Sequence, residues 1–561
     1  MIFGTICPKE TKKRGVFLMK RYYSRNRKAL AAFLITNILA AVSSVFLSFL
    51  LGRFADAAMG GNPGLVWKLA ISTLIYICIE TYFSYAMQFT RDAAIHKIGK
   101  NLRSDVVRKI EKLPYEEKQK KDDGYYISLV NNDVATIEQE YLDSMGAIYF
   151  QLCSFVIAIV ASFVIQPIMT GIMLVVSVLP IVFPKLTEKP LQKAKEAEQE
   201  AKASYLGAIT QIFNGFFLLK VFNSFKGINR AHDKENEQLC DSKVRFSKLS
   251  STLYAGAYGC GNLVYLGTWV VGLFFVTNNL ITLPQLITFS QLMTFVAGPV
   301  QIISERFSMT VAASSVCKRI IKFLDAPTDE ENLWGTDDLR GINDIELAGL
   351  GYTVDGNAIL HGVNLHLHKG DRIALLGESG SGKSTLMKVL ASMYEGRGTY
   401  KINGQPYHSY SYSDFRDNVA LLEQKSFVFN ATIYDNLTMF SEPGNFDSTA
   451  LKNLLNRVGL HKWFKNRGEI LDIQIGNENQ ALSGGEERRL DLGRILYNNS
   501  RLVMLDEPTT GLDKESRQLV EETIEHMDCD ILIVAMHDYS PDFLKGFNRI
   551  IHVKDGMVDE T

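Results

Sequence analysis

Four stretches of this chain run uncharged, or nearly so, for longer than a water-soluble fold tolerates. Ala29 to Gly52 carries no charge over about 24 residues, and Leu69 to Thr90 is broken only by Glu80. Ser144 to Pro184 and Leu249 to Ser304 are longer still. A helix rises 1.5 Å per residue, so about 20 apolar residues cross a bilayer core once, and the two longest stretches exceed one crossing. Pro167 divides the third, because proline removes a backbone donor and obstructs a continuing helix. The turn-forming "TNNLITLP" divides the fourth. Six helical spans follow, at about 29–52, 68–90, 145–166, 168–184, 250–276 and 282–304. An even number of crossings leaves both chain ends on one face of a lipid bilayer.

Lysine and arginine placement orients those ends. The opening segment "KETKKRGVFLMKRYYSRNRK" and the segments 91–143 and 185–248 are rich in basic residues. The connections near 52–66, 166–168 and 277–284 are nearly free of them. Basic loops stay in the cytoplasm, so both termini and both long segments are expected there, in a cell membrane. The opening apolar stretch is short and cut by lysines, so no secretory signal is expected. Apolar residues recur at helical spacing in "EQEAKASYLGAITQIFNGFFLLKVFNSF", which predicts that the long segments extend membrane helices into the cytosol and close on short turns. The membrane domain then spans 1–325, an acidic linker 326–343, and a soluble α/β domain 344–561. A net charge of −1 gives no field for nucleic acid. Seven scattered cysteines form neither CxxC pairs nor clusters, which argues against a disulfide framework or a zinc site.

The soluble half contains phosphate chemistry. "IALLGESGSGKSTLMKVL" is an apolar strand, a glycine-rich loop and a helix, and Gly377 to Ser384 fits GxxxxGK[ST]. Backbone N–H groups from Gly377, Glu378, Ser379, Gly380, Ser381, Gly382 and Thr385 can close around phosphate oxygens, Lys383 can neutralise them, and Ser384 can hold Mg²⁺. "RLVMLDEP" is a second buried strand ending in two acids, with Asp506 suited to support Mg²⁺ and Glu507 to polarise water. "ILIVAMHD" is a third, ending at His537, within reach of the same phosphate if the sheet is parallel. "ALSGGEERRL" places Ser483 as a helix cap with Glu486 three residues on, the pattern of a capping box. Such a helix start offers free N–H groups to an anion.

Tyr352, the phosphate loop, Gln424 in "LLEQKSFVFNATIYDNL", "LSGGE", "MLDEP", "TGLD" and His537 occur in the order seen in ATP-binding cassette transporters, which the chain resembles over nearly its whole length. "GYYISLVNNDV" and "NGFFLLKVFNSF" look like the two intracellular-loop motifs of the exporter type. The resemblance implies a membrane domain of six long helices followed by a nucleotide-binding P-loop domain, with ATP and Mg²⁺ as cofactors. It implies that Tyr352 stacks on adenine and that Gln424 links the γ-phosphate and Mg²⁺ to the membrane domain. Ser483, Gly484 and Gly485 would face a phosphate held by a second subunit, Asp513 would touch that subunit, and His537 would sense the γ-phosphate. One phosphate loop and one signature imply a half-transporter that pairs with another, moving a small molecule, lipid or peptide. Export is expected; import of a metal–siderophore complex is the alternative.

Two departures favour an unlike partner. Glu486 stands where glutamine is usual, and Asn477 stands where exporters often carry glutamate. Cargo is less legible. Glu80 lies mid-span, where an acid is costly unless it faces protein or water, so it pairs with a neighbouring helix or meets a cationic cargo. Tyr254, Tyr258, Tyr265 and Trp269 share one helix face at 100° per residue, either as packing or as the lining of a cavity.

Overall fold

The computed structural model describes residues 15–61, 63–326, 334–354, 356–442, 448–463, 473–476, 482–537 and 539–560. Asn477 and linker residues 327–333 lie outside them. The chain divides into two compact units. The first holds residues to Arg108 and from Asp123 to Ala326; the second holds Lys109–Asp122 and everything from Pro327 onward.

Among its described residues the first unit is built of helices joined by short turns. Its long helices are Arg27–Gly60, Pro63–Glu111, Asp143–Ile165, Leu179–Asn214, Phe225–Thr277 and Leu283–Leu324, with the shorter Pro167–Val176 between the third and fourth. Among the described residues, four helical segments are long and apolar enough to cross a membrane: Arg27–Gly60, Pro63–Glu111, Asp123–Ile165 and Phe225–Thr277. The chain breaks where its residues demand it. Gln166 is extended (φ −156°) and Pro167 opens the next helix. Thr282 caps the last helix, its hydroxyl accepting from the Gln285 N–H while Gln285 reaches back. The segment around residues 185–248 is two helices joined through the short helix Phe216–Val221.

Many large apolar side chains of this unit are exposed, beside a buried cluster that includes Met169, Leu286 and Phe289. Val164 is 82 % exposed and Trp67 73 %, whereas Asn37, Ser154 and Ser162 are buried. Small residues allow close helix approach: a Cβ on Gly52 would collide with Thr288, and one on Gly272 with Leu286. Arginines tie the polar ends of these helices to acids. Arg306 Nη1 lies 3.0 Å from Asp143, which also faces Arg91 at 3.4 Å. Arg103 Nη2 meets Glu138 at 2.9 Å, and Arg319 pairs with Asp133.

The second unit is built on two sheets. β1 (Asp344–Val354), β2 (Asn357–His368), β4 (Arg397–Ile402) and β5 (Gln405–Pro406) form an antiparallel sheet in the order β2-β1-β4-β5. A second sheet takes β3 (Arg372–Leu376), β6 (Val419–Leu422), β9 (Leu502–Asp506), β10 (Ile531–Met536), β11 (Arg549–Lys554) and β12 (Met557–Glu560) in the order β12-β11-β3-β10-β9-β6. A minor pair joins β7 (Ala431–Thr432) to β8 (Gln474–Ile475). Strands β6, β9, β10, β3 and β11 are mutually parallel. Their near-continuous apolar sequence follows from burial on both faces. In β10, Ile531, Ile533 and Ala535 enter the core beneath the antiparallel sheet, while Leu532, Val534 and Met536 enter the core under the helices of the other face. Strands β3 and β9 alternate in the same way, the period-two consequence of a pleated backbone.

Candidate nucleotide site

Strand register assembles the site. Leu376 pairs with Met536, Ala535 with Asp506, and Leu505 with Leu422. The next residues of the four strands, Gly377, His537, Glu507 and Glu423 with Gln424 behind it, therefore emerge along one carboxyl edge. Ligands of open parallel sheets bind at such an edge.

After β3 the chain turns through the glycine-rich loop into the helix Lys383–Leu390. A Cβ on Gly377 would run into the Val553 carbonyl, and Gly382 caps the helix at φ 110°, where an L side chain is strained. Lys383 is buried, its Nζ donating to the carbonyls of Gly377 and Glu378 at 2.8 Å each. Two bonds leave one ammonium proton for a further acceptor. Ser381 Oγ is buried with no hydrogen-bond partner among the described residues, so the loop holds a polar atom awaiting one. Glu378, Ser379, Gly380 and Ser384 are exposed and Thr385 half-buried. Ser384 hydrogen-bonds Asp506, whose carboxyl is pushed upward by burial and by Glu507, against the downward pull of Ser384 and Lys383. A cation between Ser384 and Asp506 would relieve that cost. The donor set therefore fits a phosphate chain with Mg²⁺.

Glu507 follows β9 in a left-handed conformation (φ 48°) and anchors its N–H on the Ala535 carbonyl at 3.0 Å. Its carboxylate is held by three groups: Gln424 Nε2 at 3.0 Å, Thr510 Oγ1 at 3.3 Å and His537 Nδ1 at 3.2 Å. The sequence brings together Glu507, Gln424 and His537 as expected. Thr510 was not foreseen, although it lies in the "EPTTGLD" run.

Ser483 caps the helix Gly484–Asn498 with its hydroxyl toward the Glu486 N–H, and Glu486 returns the bond to the Ser483 N–H. Ser483 and Gly484 are exposed and Gly485 half-buried, so the helix start faces outward. Asp513 is exposed too and caps the next helix, accepting from the Ser516 N–H at 3.0 Å, which holds its carboxyl below the usual range.

Tyr352 requires a correction. It was expected to stack on adenine, but only 5 % of it is exposed, and its ring lies flat on Tyr394 with centroids 4.9 Å apart and planes 2° off parallel. Strand alternation turns it into the core, and the hydroxyl hydrogen-bonds Glu116, with burial and that carboxylate pushing the phenol up to about 12. Tyr352 is thus one wall of a socket that receives the short helix Tyr115–Gln119. Tyr115 donates to Glu423 Oε1 at 3.2 Å, and Tyr394 donates to Gln119 Oε1 at 3.2 Å. Lys388, on the phosphate-loop helix, lies 2.8 Å from Glu423 and over the Tyr115 and Tyr394 rings at 5.8 and 5.6 Å.

Arg488 was also missed. Buried behind the signature, it donates to the carbonyls of Glu423 and Gln424 at 2.6 Å each and reaches the Glu507 carbonyl at 3.5 Å. Burial pulls its guanidinium below the usual range, opposed by Asp491, Asp506 and Glu507. The signal was the arginine pair in "GEERRL": on a helix that also buries Leu490 and Leu492, an arginine is kept only by several acceptors.

Residues 30–300 match the family described as ABC transporter transmembrane region, and residues 360–510 match the family described as ABC transporter. The chain is 24 % identical over 501 residues to the Bacillus subtilis protein named multidrug export ATP-binding/permease protein YgaD, covering 88 % of this chain and 85 % of that one. A Staphylococcus aureus protein of the same description, SAOUHSC_02003, is 23 % identical over 506 residues, covering 89 % and 86 %. The Haemophilus influenzae glutathione/L-cysteine transport system ATP-binding/permease protein CydC is 34 % identical over 211 residues, 37 % of this chain and 36 % of that one. With a transmembrane region fused to an ATP-binding domain in one chain, the protein belongs to the ABC transporters, multi-pass membrane ATPases that couple ATP hydrolysis to transport.

Proposed function

We propose that this chain is one half of a two-chain exporter, with both termini and the nucleotide domain in the cytoplasm, that moves an amphipathic small molecule, lipid or peptide outward. The observation that carries the coupling is a short path in the second unit. Glu507 accepts from Gln424, Gln424 adjoins Glu423, and Glu423 accepts from Tyr115 on the helix that follows the membrane helix Pro63–Glu111. A shift of that helix is felt at the catalytic carboxylate through two side chains.

In this reading the loop from Gly377 to Ser384, with Thr385, binds the ATP phosphates, and Lys383 offers its remaining proton to them. Ser384, Gln424 and Asp506 would hold Mg²⁺, which would supply charge neutralisation at the phosphates. Glu507 orients water for in-line attack and His537 holds Glu507 in place. Ser483, Gly484, Gly485 and Asp513 face the partner's nucleotide. ATP binding draws the two cassettes together and hydrolysis releases them, turning the membrane helices between inward- and outward-facing states. The names of the relatives, multidrug export for two and thiol transport for one, suggest the probes.

The test is direction. In inverted vesicles with ATP outside, uptake of a fluorescent amphipathic cation or of labelled glutathione is expected, and Glu507→Gln abolishes it. ATP-driven accumulation only in right-side-out vesicles loaded with ATP would overturn export.

A further inference from the structure

We propose that a basic surface formed by Lys20 and Arg21 on the first helix, with Arg27 and Lys28 just beyond it, binds the headgroups of anionic phospholipids at the bilayer surface. The first helix, Gly15–Arg25, leads directly into Arg27–Gly60, which is long and apolar enough to cross a membrane. At about 100° per residue Met19, Tyr22 and Tyr23 fall within about 100° of one another, and Lys20, Arg21 and Ser24 within about 100° on the far side. Burial follows the same division. Met19 and Tyr22 are buried and Tyr23 half-buried, whereas Lys20, Arg21, Ser24, Arg27 and Lys28 are exposed. The buried face is fastened to the membrane helix Pro63–Glu111: Tyr22 donates its hydroxyl proton to Asp105 at 2.9 Å, and Arg25 Nη1 donates to the same carboxylate oxygen at 2.8 Å.

Asp105 thus serves Arg25 and leaves the neighbouring cations without a counter-charge. Among the described residues Lys20, Arg21, Arg27 and Lys28 form no ion pair. Four like charges within nine residues repel one another. Arg27 and Lys28 also stand in the first turn of their helix with no acid beside them, at the positive end of its dipole. Anions supplied from outside the chain relieve both costs. Position selects their source. The uncharged run begins at Ala29, so Arg27 and Lys28 lie at the edge of the hydrocarbon core, at the depth of the headgroups. A soluble phosphate must be drawn from dilute solution, whereas an anionic leaflet presents phosphates at that depth. Clusters of about four to eight basic residues beside a membrane helix recruit such lipids. Holding the chain end on one face of the membrane needs only the charges. The fastening of the opposite helix face to Asp105 adds a fixed basic surface, which topology alone does not require.

The experiment follows amide hydrogen exchange of the peptide covering residues 15–28 in the assembly purified with this chain. The assembly is held in nanodiscs of phosphatidylcholine alone, or of equal parts phosphatidylcholine and phosphatidylglycerol. Exchange is expected to slow at least about fivefold in the anionic discs, the weight of one cation at such a surface, and the difference to shrink in high salt. Lys20→Gln, Arg21→Gln, Arg27→Gln and Lys28→Gln together are expected to remove the slowing. Arg21→Lys with Arg27→Lys is expected to keep it, because charge rather than guanidinium geometry is read. Resistance to alkaline extraction checks that each variant is inserted. Should the fourfold variant fail to insert, Lys20→Gln with Arg21→Gln leaves the cations next to the membrane helix in place and is expected to lose most of the slowing. Equal exchange in the two lipids, or slowing retained in the inserted glutamine variants, would overturn the proposal. Equal slowing by free glycerol phosphate added to phosphatidylcholine discs would also overturn it, by assigning the surface to a soluble anion.

Discussion

The two units expose their apolar side chains to different extents. In the membrane unit Val164 is 82 % exposed while Ser154 and Ser162 are buried; in the nucleotide unit Val534 is fully buried and Glu378 and Ser384 are exposed. The difference is one of solvent. A helix in lipid satisfies its backbone internally and needs only apolar contact outside, so its interior can be small and mildly polar. A sheet in water must bury both faces, at about 1.5–3 kcal/mol for each large side chain. The same contrast separates the acids. Asp133, Glu138 and Asp143 are paired with arginines and hold helices together, whereas Glu507 is held by polar groups that leave it free for chemistry.

The widest test of that contrast compares one carboxylate from each unit. Glu507→Gln is expected to lower steady-state ATPase about 10²–10⁴-fold, the usual worth of a positioned general base, with ATP binding retained. Glu80→Gln in the membrane unit leaves basal ATPase near the wild-type rate; a collapse there would break the division of labour. Next come the valines. Val534→Asp buries an unpaired charge, costs about 3–5 kcal/mol, and should leave protein without ATP binding. Val156→Asp, midway along Asp143–Ile165 on an exposed face, costs about 2.5–3.5 kcal/mol in insertion, and lowers the yield of membrane protein while the inserted fraction still binds ATP.

Smaller effects sharpen the account of the socket. Arg488→Leu removes the donor from the Glu423 and Gln424 carbonyls, and two buried acceptors left unpaired cost about 1–3 kcal/mol in unfolding free energy, read by chemical denaturation. Tyr352→Phe removes only the bond to Glu116, about 0.5–1.5 kcal/mol. It should slow transport per ATP hydrolysed and leave Mg–ATP affinity unchanged; a large loss of affinity would restore Tyr352 to the nucleotide.

How much was legible in the sequence follows from these distinctions. The helix breaks at Pro167 and before Leu283 were readable because proline and turn residues act locally. The phosphate loop and the strand-end acids were readable because strand, loop and helix are contiguous and the chemistry fixes the residue types. Tyr352 misled because an aromatic near a hairpin looks the same whether it faces ligand or core; only the pairing of β1 with β2 and the position of Tyr394, 42 residues away in sequence, decide it. The Tyr115–Glu423 bond spans 308 residues and could not be found by local pattern. Glu80 shows no ion pair among the described residues. The aromatic stripe divides: Tyr254 and Tyr258 are exposed and stacked at 6.3 Å, while Trp269 packs into a helix core beside Met169 and Phe289.

The central claim is that Lys383 and Glu507 of one chain work only when a second chain's signature helix closes the site. The direct measurement is ATPase activity per phosphate loop in nanodiscs holding one copy of this chain, against nanodiscs holding the native two-chain assembly. The account predicts that the single copy binds Mg–ATP but turns it over about 10²–10³-fold more slowly, the loss expected when preorganised donors to the transition state are missing. Equal turnover in the two preparations would contradict it.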